Sequence, residues 1–467
     1  MKSSLFLGLA ACAAVSVAVL PKPALAQVHV DPAEHTSALE LLKKGITFRT
    51  VIPGDQVKPY AEYLKSVLVA GGYKPAEVEV RPVLGTSILI ARYPGTDASK
   101  KPLVVIDHMD VVEAKPADWT RDPFKPVVEN GYVFGRGAID DKFDVSMVVT
   151  VLAKLRREGW KPGREVILAL SGDEETLQQT ARVFAKELKG AEMVLNGDAG
   201  GGLVAEDGKP VFYGLQAAEK TYADFQVVVT NPGGHSSRPG KVNAIYEMGQ
   251  DLARLAAYKF PAMQSDITMA SFKAAAANTP GPMGDALRRY IANPHDEQAL
   301  ASLSEDPDFV GQLRTTCVAT MIDGGHATNA LPQKVTANVN CRIFPGTPSE
   351  EVRRTIEKVI ADPIAKIERQ NDGAIDAGAS PLRPDVLAAV TKAVQARYPG
   401  LAVVPNMSAG ATDSMFFRAL GVPAYGVGGA FMKASDDFAH GLNERVPINT
   451  IDGALFQWES VLKDLAK

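Results

Sequence analysis

Short apolar runs alternate with stretches of helical periodicity along most of this chain. Four of the apolar runs have the length and composition of buried strands: residues 102–106, 165–170, 193–195 and 424–427. Between the first two, residues 144–158 place valine and leucine side chains on one face of a predicted helix, and Gly159 follows where helices often end. Strands that alternate with helices predict βαβ units and a mostly parallel central sheet.

Polar residues with reactive side chains follow these strands directly. His108 and Asp110 come after the first strand. Glu174 and Glu175 follow the second strand, and Asp198 follows the third. In open α/β sheets, ligands bind in the crevice outside the carboxyl ends of the strands. We therefore expect residues that are far apart in the sequence to meet at one edge of the sheet.

A segment of different character interrupts the α/β pattern. Residues 219–347 begin and end with alternating sequences that are typical of half-exposed strands. We interpret this segment as an inserted α+β domain with a polar, helical excursion at 274–307. The α/β domain is then discontinuous and comprises residues 27–218 and 348–467.

The N-terminal segment 1–26 has the organisation of a signal peptide. Lys2 supplies a short positive segment, residues 5–20 are almost wholly apolar, and Ala24–Ala26 form a cleavage site. These features predict a periplasmic or secreted protein. We expect no stable membrane association after cleavage, because no later run approaches the roughly 18 apolar residues that span a bilayer. A lipoprotein box ending at Cys12 is the less favoured alternative, since the apolar run continues past it.

The overall composition is that of an ordinary globular protein. Of the 467 residues, 46% are hydrophobic and 22% are charged, and the formal net charge is −4. This balance excludes a mainly disordered, collagen-like or coiled-coil architecture. A nucleic-acid partner is not expected, because proteins of that class are usually basic.

Two cysteines lie outside the predicted signal peptide, Cys317 and Cys341. Two cysteines cannot form the disulfide scaffold of a chain this long, so the fold must depend on its hydrophobic core. They flank a turn-like segment, residues 324–329, at similar distances. If the flanking sequences pair as a hairpin, the two thiols can face each other and oxidise. The sequence leaves both the free and the bonded state open.

The polar clusters contain residue types that bind metal ions. Singly, each also has a structural interpretation: Asp140 can cap the helix after it, and the acids at 173–175 can lie on the surface. At one sheet edge, however, adjacent acids repel one another unless cations offset their charge. Asp140 is then a candidate to bridge two metal ions, because a shared carboxylate reduces the repulsion between cations about 3.5–4 Å apart. One glutamate of the pair can bind metal while the other acts as a general base.

The order of these motifs resembles a family of di-zinc peptidases and amidohydrolases. This family includes aminoacylase, carboxypeptidases S and G, dipeptidases, acetylornithine deacetylase and succinyl-diaminopimelate desuccinylase. The resemblance rests on five motifs that span most of the chain: His108–Asp110, Phe134–Lys142, Asp173–Glu175, Asn196–Asp198 and Phe438–Arg445. It implies a zinc-exopeptidase-like catalytic domain with two Zn²⁺ per subunit, for which Co²⁺ and Mn²⁺ are alternatives.

The resemblance assigns metal ligands by position. It implies that His108 and Asp198 hold one zinc ion. Glu175 and His440 would hold the other ion. Asp140 would bridge the two.

Further roles follow from the same resemblance. Glu174 would be the general base, and Asp110 would be the carboxylate that orients the imidazole of His108. The peptide bond between Asp140 and Asp141 would be cis. These roles remain implications of the resemblance, since the spacing of the residues does not derive them.

The inserted segment resembles the lid or dimerisation domain of the same family. His235 would polarise the scissile carbonyl, often from the partner subunit, so a homodimer through the insert is expected. Asn329 and Arg342 match positions that hold the substrate carboxylate. Gly410 matches a substrate-binding loop of the catalytic domain.

Two residues depart from the family's pattern. Phe143 and Leu177 stand where glycine is usual, after the lysine of the bridging motif and after the threonine that follows the acidic pair. Neither change removes a metal ligand, so the chemistry should be retained. We expect the two side chains to change the shape of the substrate pocket.

The resulting hypothesis is an exported hydrolase that cleaves the amide bonds of small, carboxylate-bearing substrates, as carboxypeptidases and dipeptidases do. The planar guanidinium of Arg342 suits such a carboxylate because it can bind bidentately. A deacylase or desuccinylase that acts on N-acyl amino acids is the alternative within the hydrolases. An exported two-domain solute-binding protein is the alternative of another class, and an unliganded base such as Glu174 argues against it.

Overall fold

The computed structural model describes residues 28–370, 373 and 375–467. The predicted signal peptide lies outside these residues. Within them, the chain forms a ten-stranded sheet, a four-stranded sheet and two smaller sheets of three and two strands. None of the helices in this part of the chain has the length and apolar character that a membrane crossing requires.

The helices occur in three groups along the described chain. Helices of the large domain precede the insert, helices of the insert follow, and the large domain then resumes. Their bounds are α1 Pro32–Ile46, α2 Val57–Ala70, α3 Lys142–Arg157, α4 Gln179–Glu187, α5 Ala244–Ala257, α6 Asp266–Asn278, α7 Gly281–Ala292, α8 Glu297–Glu305, α9 Pro307–Leu313, α10 Ser349–Ile360, α11 Pro384–Arg397, α12 Ser414–Ala419 and α13 Ile451–Leu465.

The strands are short in the large domain and longer in the insert. All four predicted strands are present, within two residues of their predicted ends. The bounds are β1 Val78–Val83, β2 Thr86–Tyr93, β3 Leu103–His108, β4 Val127–Glu129, β5 Tyr132–Phe134, β6 Val166–Ser171, β7 Met193–Asn196, β8 Gly201–Val204, β9 Pro210–Glu219, β10 Thr221–Thr230, β11 Gly234–His235, β12 Thr316–Gly324, β13 Ala330–Leu331, β14 Lys334–Ile343, β15 Lys366–Arg369, β16 Val403–Ser408, β17 Ala424–Gly426, β18 Phe431–Lys433 and β19 Arg445–Pro447.

The large sheet has a parallel centre, and both parallel and antiparallel pairs occur in its outer parts. Its order is β1-β2-β6-β3-β7-β17-β9-β8-β18, and β16 pairs with β9. Strand β3 runs parallel to both β6 and β7, and β17 runs parallel to β7. Hairpins supply antiparallel strands: Leu84 and Gly85, both with positive φ, form the turn between β1 and β2. The α/β prediction is therefore confirmed: among the described strands the sheet is mixed, with five parallel and four antiparallel pairings.

Helices cover both faces of this sheet. α1, α2, α3, α11 and α13 pack with one face, and α4 and α12 pack with the other. Consequently every residue of β3 and β6 is buried. A strand that is covered on both faces needs apolar residues at successive positions, which is the pattern seen in the sequence.

The four-stranded sheet of the insert continues past the predicted boundary at residue 347. Its order is β12-β14-β10-β15, and all its pairings are antiparallel. Helix α10 and strand β15 belong to it, since Val352, Ile356 and Ile367 are buried in its core. The insert thus extends to about Arg369. The alternating sequence ends at β14, and the amphipathic α10 gave no sign of which domain it packs against.

The helical excursion and the cysteine pair both belong to this insert. Helices α6 to α9 form a small core of their own, so the excursion is longer than the predicted segment 274–307. Cys317 and Cys341 are register partners on β12 and β14, and a disulfide joins them. The hairpin on which the pairing depended is therefore present.

Candidate metal centre

The five side chains proposed as metal ligands meet at the carboxyl ends of the central parallel strands. His108 is the last residue of β3. Glu175 follows β6, and Asp198 follows β7. Asp140 lies just before α3, and His440 lies in the segment between β18 and β19. The predicted convergence on one sheet edge is thus present in the fold.

The ligand atoms of these residues form two groups that share Asp140. One group is His108, Asp140 and Asp198, the other is Asp140, Glu175 and His440, and within each group the atoms lie within 4.8 Å of one another. Asp140 Oδ1 is 2.9 Å from His108 Nε2, and Asp140 Oδ2 is 3.0 Å from His440 Nε2. The five residues are called the His–carboxylate cluster below.

The charges in the His–carboxylate cluster depend on one another. Burial raises the pKa of Glu175 and of Asp198. Burial also opposes the ionisation of Asp140, but hydrogen bonds with His108 and His440 outweigh it and hold the pKa of Asp140 well below its usual range. Hydrogen bonds to Asp140 and Glu175 raise the pKa of His440 to about 10. The carboxylates therefore require positive charge beside them, which imidazolium groups or bound cations can supply.

Asp110 connects two of the strand ends. Its carboxylate accepts hydrogen bonds from the backbone N–H groups of Glu174 and Glu175, both at 3.0 Å. His108 Nδ1 lies 3.1 Å from the backbone carbonyl of Asp110 and 3.6 Å from its carboxylate. Asp110 thus lies beside the imidazole as predicted, but its nearest contact is the carbonyl, because the carboxylate binds the acidic pair.

Glu174 faces the same cavity without joining either ligand group. Its side chain is buried, and Gln178 donates a hydrogen bond to Glu174 Oε1 at 2.7 Å. Burial raises the pKa of Glu174 well above its usual value. A carboxylate in this position can accept and release a proton.

The cavity at the cluster has a volume of about 590 Å³. Glu174, Glu175, Asp198 and His440 line it together with Gly410 from the loop after β16. Glu219 stabilises that loop, because its carboxylate accepts hydrogen bonds from the backbone N–H and the hydroxyl of Thr412, both at 3.0 Å. Gly410 is therefore close to the cluster, as predicted.

A second cavity, of about 500 Å³, adjoins the first. The two share Asp198 and Thr412 in their walls. Leu203, Phe212 and Met432 make part of the second cavity apolar. The space beside the cluster is thus large enough for more than a single amino-acid side chain.

Glu444 is a residue of the site that the sequence interpretation did not assign. It is fully buried, and its carboxylate accepts hydrogen bonds from the backbone N–H groups of Gly137, Ile139 and Asp140 at 2.9–3.1 Å. It also contacts Arg136 Nη1 at 2.5 Å. Glu444 therefore fixes the turn that carries Asp140. Its place in the same motif as His440 was the available signal.

The two departures from the family pattern do not lie on the cavity. Phe143 is fully buried in α3, and Leu177 is exposed. Neither is among the described residues that line the two cavities at the cluster. The expectation that they reshape the pocket is therefore unsupported by this geometry. The cis peptide between Asp140 and Asp141 is present.

The lid residues are not brought to the cluster as a set. His235 and Asn329 are exposed and are absent from the described lining of the cluster cavity. His235 Nδ1 instead accepts a hydrogen bond from the backbone N–H of Ser237 at 3.1 Å. Arg342 comes closer, since its Nη1 donates to the carbonyl of Ala409 at 3.3 Å, next to Gly410.

Comparison with known proteins places the chain in a defined group. Residues 104–464 match the family model described as Peptidase family M20/M25/M40. A curated relative, Probable carboxypeptidase S-like 2 of Dictyostelium discoideum, is 25% identical over 469 residues, or 94% of this chain and 88% of the relative. N-fatty-acyl-amino acid synthase/hydrolase PM20D1 of Homo sapiens is 27% identical over 372 residues, or 77% of this chain and 73% of that protein.

Solved structures show the same fold. The M20 family metallo-carboxypeptidase Sso-CP2 from Sulfolobus solfataricus aligns with a TM-score of 0.69 at 19% identity. The alignment covers 91% of this chain and 98% of that one. It therefore includes the insert as well as the large domain.

Proposed function

Because this chain belongs to Peptidase family M20/M25/M40, we propose that its His–carboxylate cluster binds two zinc ions and that it hydrolyses the terminal amide bond of small peptides with a free carboxylate. Family membership makes the protein a metal-dependent hydrolase and rules out the solute-binding alternative. The observation that carries the proposal is the position of Asp140, whose two oxygens face the imidazoles of the two ligand groups.

The donor set of the cluster suits two divalent ions. His108 and Asp198 would hold one ion, Glu175 and His440 would hold the other, and Asp140 would bind both. Imidazole and carboxylate together are typical zinc ligands, and Co²⁺ or Mn²⁺ can occupy the same donors. The buried carboxylates, which require positive charge beside them, support this assignment.

Glu174 would perform the proton transfers. When bound, the two ions supply Lewis acidity that lowers the pKa of a water molecule. Glu174 lines the cavity and belongs to neither ligand group, so its carboxylate would take the proton of the attacking water and deliver it to the leaving amine. Asp110 would position Glu174 through the backbone hydrogen bond described above.

The carboxylate of the substrate would bind the guanidinium of Arg342. This guanidinium is next to the Gly410 loop, which borders the cluster cavity. A planar guanidinium binds a carboxylate in a bidentate manner, which selects substrates that end in a free carboxyl group. Asn329 and His235 would complete the site from a second subunit, since they lie apart from the cluster of their own chain.

An N-acyl-amino-acid deacylase is the second candidate. Both activities cleave an amide next to an amino acid with a free carboxylate, and they differ in the group on the other side of the bond. The apolar part of the second cavity, with Leu203, Phe212 and Met432, favours an acyl chain there. One curated relative is named as an N-fatty-acyl-amino acid synthase/hydrolase, which supports the same alternative.

A substrate panel tests the proposed function. We expect the zinc-loaded protein to hydrolyse dipeptides or N-acyl amino acids, and we expect C-terminal amidation to lower kcat/KM by at least about tenfold, because Arg342 then loses a charge-assisted hydrogen bond. The rate of hydrolysis is measured from the amount of free amine released. Equal rates on the free and amidated forms would contradict the carboxylate site, and no turnover of any member would contradict the proposed activity.

We also propose that two copies associate through strand β12. This strand is an edge of the four-stranded sheet, and its side chains Val318, Met321 and Ile322 are exposed. Tyr246 of α5 is exposed as well. An exposed apolar edge strand is a template for pairing with another chain. Pairing here would also give His235, which lies apart from the cluster of its own chain, a second subunit whose substrate it would contact.

Introducing a charge on this edge should separate the two copies. We expect Met321→Arg to convert a dimer into a monomer, because pairing would bury the new charge without a partner. Light scattering after size-exclusion chromatography measures the mass. Leu420→Arg, a similar change at an exposed leucine of the large domain, should leave the dimer intact. A wild-type monomer, or a Met321→Arg dimer, would contradict the proposal.

We propose that the protein is exported and loses residues 1–26. The disulfide between Cys317 and Cys341 supports an oxidising compartment, because disulfides are rare in the cytosol. N-terminal sequencing of the mature protein should then begin at Gln27. A mature chain that retains Met1 or begins at Cys12 would overturn this assignment.

A further inference from the structure

A third cavity, of about 470 Å³, lies where the insert meets the large domain. Four cationic residues line it, and no described residue in its lining is acidic. We call it the basic pocket; its cationic residues are Lys220, Lys259, Arg314 and Arg342. A cavity with this lining favours an anionic ligand.

Lys220 is buried in the basic pocket without a carboxylate partner among the described residues. Its side chain is 1% exposed, and its ammonium group donates to the carbonyl of Arg314 at 2.8 Å and to Thr316 Oγ1 at 3.2 Å. An ammonium group has three N–H donors, so one remains for a ligand. The adjacent Glu219 does not neutralise it, because that carboxylate pairs with Arg418 at 2.8 Å.

Arg314 is the second buried cation. It is 9% exposed and donates to the carbonyl of Phe260 and to Ser304 Oγ, both at 2.9 Å, while its Nε has no hydrogen-bonding partner among the described residues. Both of its partners are neutral. A buried charge without an opposite charge is costly, so the two cations favour binding of an anion between them.

One loop contributes to the walls of both the basic pocket and the cluster cavity. Arg342 and Ala409 line the basic pocket, while Ser408 and Gly410, the neighbours of Ala409, line the cluster cavity. The backbone N–H of Lys220 also binds the carbonyl of Ser408 at 3.0 Å. A substrate whose carboxylate binds Arg342 therefore has its last residue next to the basic pocket.

We propose that the basic pocket receives the acidic side chain of the substrate's C-terminal residue, so that the protein prefers substrates ending in glutamate or aspartate. This inference rests on the proposed function, because it requires cleavage in the cluster cavity. Arg342 then binds the α-carboxylate, and Lys220 and Arg314 bind the side-chain carboxylate. Burial, together with the charge of Arg342, lowers the pKa of Lys220 to about 7, in keeping with a cation that lacks its anion.

Matched substrates test the preference directly. Ala-Glu and Ala-Gln, or N-acetyl-Glu and N-acetyl-Gln, have the same shape and differ in one charge. We expect kcat/KM to be at least about tenfold higher for the glutamate member, which is the effect of one charge-assisted hydrogen bond. If both members are hydrolysed efficiently and their kcat/KM values are nearly equal, the proposed role of the basic pocket is overturned, but the proposed hydrolase activity is not. If the protein hydrolyses neither member of the pair and no neutral substrate such as Ala-Leu, the proposed function itself is overturned.

Variants locate the preference in the protein. Lys220→Met should bring the glutamate-to-glutamine ratio close to one, whereas Lys392→Met, which removes an exposed lysine on α11, should leave the ratio unchanged. Thermal unfolding confirms that each variant is folded. If Lys220→Met does not fold, inhibition of the wild-type protein by free glutamate and free glutamine provides the same comparison. A ratio that survives in a folded Lys220→Met protein overturns the assignment.

Inorganic phosphate separates a substrate site from a free-anion site. If the pocket binds the substrate side chain, phosphate should inhibit hydrolysis of Ala-Glu more strongly than hydrolysis of Ala-Gly, which has no side chain to place in the pocket. Equal inhibition of both would mean that the pocket binds free anions independently of the substrate, which contradicts the proposal.

Discussion

The Glu174→Ala variant is expected to bind as much zinc as the wild-type protein and to hydrolyse amide bonds about 10²- to 10⁴-fold more slowly, the usual contribution of a general base. Glu174 lines the cluster cavity but belongs to neither ligand group, so its removal leaves all five ligands in place. The measurements are zinc content by mass spectrometry and kcat on the substrate that the panel identifies.

Two further variants make this result specific. Glu174→Gln keeps the volume of the side chain and an oxygen that can accept the hydrogen bond from Gln178, so it should show the same loss without a change in packing. Glu62→Ala removes an exposed glutamate on α2 and should have the wild-type rate. A Glu174→Gln protein that retains zinc and turns over at the normal rate would show that another group accepts the proton.

Local signals and one topological rule were enough to predict that the polar residues at the strand ends lie together. His108 and Glu175 directly follow apolar strands, and parallel strands bring their carboxyl ends to one edge. Asp140 precedes a helix with a clear apolar face, and that helix packs against the same sheet. The ligand roles of Asp140 and His440, by contrast, came from the resemblance to a known family and not from their spacing.

Contacts that depend on loop closure were not predictable in this way. Glu444 reaches the turn before α3 across more than 300 residues, and no periodicity indicates which backbone groups it binds. The contacts of the Asp110 carboxylate were also not predictable. Asp110 is two residues from His108, which suggested a contact with the imidazole, but in the fold its carboxylate binds two backbone N–H groups instead.

Two further features could not be predicted from the sequence: the boundary of the insert and the basic pocket. α10 and β15 lie beyond residue 347 but pack in the insert, because β10 has a free edge that β15 occupies. Lys220 and Arg314 are about a hundred residues apart and come together only when the helical excursion folds back on β10. The pattern of charges along the sequence does not indicate that these two residues lie close together.

Asp140→Asn is expected to reduce zinc binding at both ligand groups and thereby to abolish hydrolysis. The substitution keeps the size of the side chain but removes the negative charge that both groups share. We expect affinity to fall at least about a hundredfold, the upper end of what loss of an outer-shell partner costs at metal sites. Unlike Glu174→Ala, this variant should therefore lose metal and activity together.

Thermal or chemical unfolding with added zinc provides a second measure of the same loss. Free zinc at 100 times the wild-type Kd should raise the free energy of unfolding of the wild-type protein by about 2.7 kcal/mol for each zinc ion bound. A hundredfold weaker site gains only about 0.4 kcal/mol at the same zinc concentration. Asp55→Asn, at an exposed aspartate before α2, should keep the full shift. If Asp140→Asn retains both the shift and the zinc content of the wild-type protein, Asp140 does not bridge the two ions.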